Sequence, residues 1–176
     1  MHSRSGQTLI EALAALSVLT IGFLGIFGLL AQSFSAVRTS SEETTATYLA
    51  AEGIELSKSM LDRAMYNYPN LGIADEWPCF PTIPGDYGFD YTALWSGSGC
   101  ASLSSAPNQS QSQFLLLDPA TGLYSYSAGN PTDFKRDVNV TAASGNPNEL
   151  IILSTVTWNG GRSQVQLEDH FYNWLP

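Results

Sequence analysis

Positive charge is scarce in this sequence. Seven Lys and Arg stand against 16 Asp and Glu across 176 residues, a formal charge of −9. A chain this acidic is poorly suited to phosphate backbones, which disfavours nucleic-acid binding. Histidine and cysteine are equally sparse: His2 and His170, Cys79 and Cys100. So few argue against a His/Cys zinc cluster and against a His-based catalytic triad. The sequence has no phosphate loop and no nucleophile elbow. Asp86 and Asp90 lack the ligand density of a calcium loop, and Asp118 sits in a turn-forming stretch, so no metal is assigned. No enzyme class and no cofactor follow. Charged residues make up 13% of the chain, against ~25% in an average soluble domain, so part of the chain is expected out of water.

What the sequence does have is one long apolar run. Residues 12–31 (ALAALSVLTIGFLGIFGLLA) carry no charge. As a helix, twenty residues at ~1.5 Å each span ~30 Å, the thickness of a bilayer's hydrocarbon core. A buried helix and a cleavable signal peptide, cut after Ala31-Gln32-Ser33, are the alternatives. The length of the uncharged run weighs against the first, and the flanks weigh against the second. A short polar leader, MHSRSG, precedes Gln7-Thr8-Leu9-Ile10-Glu11, which places a carboxylate at the start of the run. An unpaired carboxylate in lipid is costly, so one kept there marks a functional residue.

Ser5-Gly6-Gln7-Thr8-Leu9-Ile10-Glu11, followed by the apolar helix, resembles the leader of type IV prepilins and pseudopilins. The resemblance implies that a prepilin peptidase cuts after Gly6 and that the new amine of Gln7 is methylated. It implies that Glu11, fifth in the mature chain, pairs with the N-terminal amine of a neighbouring subunit. The family most often carries Phe where this chain has Gln7. An amine and a carboxylate in low dielectric attract strongly, while each alone is penalised, so such a pair would fix axial register between otherwise apolar surfaces. Gly22, Gly25 and Gly28 lie three apart in the run. Glycine weakens a helix and also lets helices approach closely, so a soft segment and a packing face both stay open.

Beyond residue 31 the composition turns polar, yet Ala46, Leu49, Gly53, Leu56, Met60 and Ala64 recur in steps of three and four. That spacing predicts one apolar helix face, with Glu42, Glu43, Glu52, Glu55, Lys58, Asp62 and Arg63 as its polar residues. The pattern is expected to end near Tyr68, because Pro69 disfavours helix in the residue before it. One helix from about residue 8 to about 66 is similar to the pilin stalk, whose second half lies on a globular domain.

Residues 69–113 read as loop, rich in Pro, Gly and Ser, and contain both cysteines. Outside the cytoplasm Cys79 and Cys100 are expected to be oxidised to each other, closing a loop of ~20 residues worth ~3 kcal/mol in the chain-entropy model. Two free buried thiols are the alternative. Trp77, Phe80, Tyr87, Phe89, Tyr91 and Trp95 are expected to fill that region's own small core, with an exposed binding surface as the other reading.

The last third reads as antiparallel strands. Residues 114–117 and 123–126 flank the turn at 118–122, and residues 137–142 place Val138 and Val140 on one face. In residues 149–158, Leu150, Ile152, Val156 and Trp158 share a face. Asn159-Gly160-Gly161 supplies a tight hairpin. The return strand, 162–169, points Val165 and Leu167 inward and Gln164, Gln166 and Glu168 outward. His170 is expected on the surface, and residues 171–176 against the domain.

Helix first and sheet after give an α+β class, and the order is pilin-like. The expected organisation is a leader at 1–6, a transmembrane assembly helix at 7–31, an amphipathic continuation at 32–68, the loop region at 69–113 and the sheet at 114–176. The resemblance implies a structural subunit, a minor pilin or pseudopilin. Its implied partners are other pilins, prepilin peptidase and the assembly platform of the inner membrane. It would be a single-pass cytoplasmic membrane protein, with its C-terminal domain outside, before it enters an extracellular or periplasmic filament. A filament-tip adhesin or substrate-capture subunit, and an unrelated single-pass membrane-anchored domain, are the alternatives.

Overall fold

The computed structural model describes residues 5–71, 85–88, 90–92, 113–146 and 148–173, with helix side chains over 7–62. Helix α1 covers Ser5–Leu71. Among the described residues seven strands follow: β1 Gly85–Tyr87, β2 Leu116–Leu117, β3 Tyr124–Ser125, β4 Asn130–Pro131, β5 Lys135–Ala142, β6 Glu149–Trp158 and β7 Ser163–Tyr172. The chain divides into two compact units, residues 1–42 and 43–176.

The first unit is α1 up to residue 42. Every described side chain from Gln7 to Ser41 is exposed. The helix begins at Ser5 rather than near Thr8.

The second unit holds the remainder of α1 and all the strands. The strands form two antiparallel sheets rather than one, ordered β1-β5-β6-β7 and β3-β2-β4. The expected α+β class with a long N-terminal helix holds. Several elements differ from the sequence reading: β4 falls where no strand is expected, β5 starts at Lys135 rather than at residue 137, and β7 runs to Tyr172 rather than to residue 169. The helix runs to Leu71 and takes in Pro69, because the bias against helix before proline is a preference that surrounding residues can override. Strand β1, in the expected loop region, pairs with β5 with Tyr87 opposite Val138. Three residues are too few to show a period of two, so no sequence signal marked it.

Alternation decides which residues reach the core. Strand β5 buries Arg136, Val138 and Val140, and β6 buries Leu150, Ile152, Ser154, Val156 and Trp158. The helix contributes Ala46, Leu49, Ala50, Leu56, Ser57, Met60 and Leu61. Two apolar clusters result. Leu56, Met60 and Leu61 pack with Tyr87, Val138, Val140, Leu150 and Ile152. Ala46, Leu49 and Ala50 pack with Leu115, Val156 and Trp158. At ~1.5–3 kcal/mol for each large side chain removed from water, this burial is the main force holding helix to sheet. The pairing also shows that residues 46–61 run antiparallel to β6.

A polar layer separates the clusters. Arg136 is fully buried, and its Nη1 lies 3.0 Å from Glu52 Oε2. The same nitrogen donates to the Leu49 carbonyl at 3.1 Å. Ser57 Oγ donates to the Gly53 carbonyl at 2.7 Å. Gly53 is required here for space: a Cβ would sit 2.5 Å from Ser154 Oγ and 3.2 Å from Arg136 Cδ. The Tyr126 hydroxyl donates to the Arg136 carbonyl at 2.9 Å, and burial raises its pKa.

Candidate functional site

The apolar N-terminal segment is the candidate site. Its helix is long and apolar enough to cross a membrane. Leu, Val, Ile and Phe side chains from Leu9 to Val37 are between 46% and 73% exposed. No other part of the described chain covers them, and an apolar surface of this extent is one that lipid or other proteins occupy. The polar side chains inside the run are satisfied by the helix itself. Ser17 Oγ donates to the carbonyls of Leu13 and Ala14, at 2.9 and 2.8 Å, and Thr20 Oγ1 to that of Ser17 at 2.8 Å. Such back-bonding removes the need for water, as a hydrocarbon environment demands.

Gly6 and Gln7 lie in the first turns of α1, and Glu11 follows one turn later with its carboxylate exposed. A Cβ built at Gly22, Gly25 or Gly28 meets nothing within 4 Å. No contact among the described residues therefore demands glycine at those three positions. Phe23 and Phe27, one turn apart, bring their ring centroids to 6.4 Å.

The remaining candidates fall elsewhere. Cys79 and Cys100 lie outside the described residues, as do Trp77, Phe80, Phe89 and Trp95. Tyr87 is buried and Tyr91 half-buried against the first cluster, so these two serve the core. Asp90 is buried and accepts from the Thr92 and Tyr126 backbone N–H groups at 2.9 and 2.7 Å. Asp118 accepts from the Ala120 N–H and the Thr121 hydroxyl, both at 2.9 Å, and these bonds hold its pKa below the usual carboxylate value. Both carboxylates thus pin turns. His170 lies inside β7 rather than at its end, exposed, between Glu149 and Glu168. The Arg136–Glu52 pair had one sequence signal: Arg136 shares the parity of Val138 and Val140.

Compared with known proteins, residues 1–27 match the family description "Prokaryotic N-terminal methylation motif". No curated protein and no solved structure matches the chain. The matched region contains the leader, Glu11 and most of the exposed apolar segment. Heading a helix apolar enough to cross a membrane, this motif supports a type IV pilin-type structural subunit with membrane anchoring before assembly.

Proposed function

We propose that the chain is a minor pilin or pseudopilin, cut by prepilin peptidase after Gly6, methylated on the Gln7 amine and assembled through Glu11. The observation that carries the reading is the coincidence of the matched motif with a helix whose apolar side chains are exposed from Leu9 to Val37. Lipid covers that surface before assembly, and neighbouring helices replace lipid afterwards. Moving between two apolar surroundings gives little hydrophobic driving force, so packing and polar contacts set the register. A carboxylate that meets an amine in low dielectric supplies such a contact, because each partner relieves the other's desolvation. The open faces at Gly22, Gly25 and Gly28 give neighbouring helices room for close approach. The other pilins, the peptidase and the inner-membrane assembly platform are the partners this reading requires. The domain of residues 43–176 then lies outside the cytoplasm.

The test is the intact mass of the protein from its native membrane or filament fraction, alongside a Glu11→Gln variant. A chain beginning at Gln7 with one added methyl group is expected. Glu11→Gln is expected to be processed normally, yet to enter filaments at under a tenth of the wild-type level. A chain still beginning at Met1, or one cut after the apolar run, overturns the reading. Normal filament entry by Glu11→Gln overturns the role of the carboxylate.

A further inference from the structure

We propose that His170, Glu149 and Glu168 form a charge clasp that fastens the end of β7 to the start of β6 while His170 is an imidazolium. The geometry fits that charge state. Nδ1 of His170 lies 2.7 Å from Glu149 Oε1, and Nε2 lies 3.2 Å from Glu168 Oε1. An ionised carboxylate accepts and does not donate, so a ring protonated on both nitrogens, the imidazolium, satisfies both contacts at once. Glu149 is the hub. Its Oε1 also accepts the Tyr172 hydroxyl at 3.0 Å, and its Oε2 accepts Asn146 Nδ2 at 3.1 Å. The clasp therefore joins β7, β6 and the loop before β6.

The charged and titratable groups around the ring are Glu149 on β6 and Glu168, Asp169 and Tyr172 on β7. Asp169 Oδ1 accepts the His170 backbone N–H at 2.9 Å. Across the sheet His170 faces Ile151 of β6, and Ile151 in turn faces Thr141 of β5. Among the described residues β7 is the edge of its sheet. Among the described residues its last turns of backbone are held by β6 and by the Asn173 N–H bonded to the Asn148 carbonyl at 2.8 Å. An edge strand's end is where local opening is easiest, so a clasp there controls fraying.

The sign of the pH dependence follows from both partners. The bond to Glu149, and then that to Glu168, raises the His170 pKa above its ordinary value. That fastening is complete below the unfolded value of ~6.5 and is lost as pH rises through the raised one. The His170 bond, and then the Tyr172 hydroxyl, lowers the Glu149 pKa. Its contribution is present above the unfolded value of ~4.3 and is lost as pH falls through the lowered one. Both contributions are complete between ~4.3 and ~6.5, and the clasp opens as pH falls through the lowered Glu149 value or rises through the raised His170 value.

The inference does not depend on the filament reading and is tested on the full chain in detergent micelles. NMR titration of the imidazole, assigned by its loss in His170→Gln, is expected to give a midpoint above ~6.5. Glu149→Gln should lower that midpoint more than Glu168→Gln, since the first contact is the shorter. Hydrogen exchange, corrected for intrinsic rate, should show protection of residues 168–172 falling several-fold as pH passes the midpoint. His170→Gln should abolish that step. A midpoint at or below the ordinary value, no response to Glu149→Gln, or a wild-type exchange step that survives in His170→Gln would each overturn the clasp.

Discussion

The buried ion pair makes an asymmetric prediction. Arg136 is wholly buried, whereas the side chain of Glu52 keeps 33% of its surface open. Removing Glu52 takes a carboxylate away from a cation held in the interior. Removing Arg136 leaves a carboxylate that can turn to water. Loss of one partner from a fully buried pair costs ~3–5 kcal/mol, and replacement of a buried charge by an apolar side chain of similar volume is often neutral or better. The opening at Glu52 admits some water, and the Leu49 carbonyl still accepts from Arg136, so Glu52→Ala is expected to cost about 2–3 kcal/mol. Arg136→Met is expected to cost under ~1 kcal/mol, because Met fills irregular space and leaves no stranded cation. The double variant should match Arg136→Met, giving a coupling of ~2 kcal/mol. Urea unfolding of the full chain in detergent, followed by tryptophan fluorescence, reads these values. At a slope of ~2 kcal/mol/M, Glu52→Ala moves the midpoint down by about 1 M. If Arg136→Met costs more than Glu52→Ala, or if the two effects simply add, the pair is not the asymmetric contact described.

Two further substitutions probe the layer that holds helix to sheet. Gly53→Ala gains ~1 kcal/mol of helix propensity but drives a Cβ to 2.5 Å from Ser154 Oγ. Overpacking of that kind costs ~1–3 kcal/mol, so a lower melting temperature is expected, with part of the loss restored by adding Ser154→Gly. A Gly53→Ala chain that melts higher than wild type would show that the layer yields easily. Asp90→Ala removes the acceptor from the Tyr126 and Thr92 N–H groups. The expected loss is ~1–3 kcal/mol, with faster amide exchange at Tyr126 while Val138 and Val140 keep their protection. Unchanged exchange at Tyr126 would refute the role given to Asp90.

Periodicity made the second half of α1 readable. Ala46, Leu49, Gly53, Leu56 and Met60 recur at helical steps, and all are buried. The same holds for β6, where Leu150, Ile152, Val156 and Trp158 share a face and meet the helix. In both elements one physical demand, burial of a single face, repeats along the element and writes itself into the residue order. The short strands β1 to β4 carry no such repeat, and the division into two sheets could not be read from them. The hydrogen bond that Asp90 accepts from Tyr126, 36 positions away, leaves no local trace either. Arg136 is the instructive case. The parity of Val138 and Val140 pointed it inward, and that signal competes with the rule that arginine stays in water. The rule gives way only when a partner meets the charge. Glu52 is such a partner, but it sits on another element, 84 positions earlier by its number in the chain. No pattern within one element can announce it. The N-terminal segment differs again: its apolar side chains are strongly written in the sequence, and among the described residues nothing packs over them to compete with that signal.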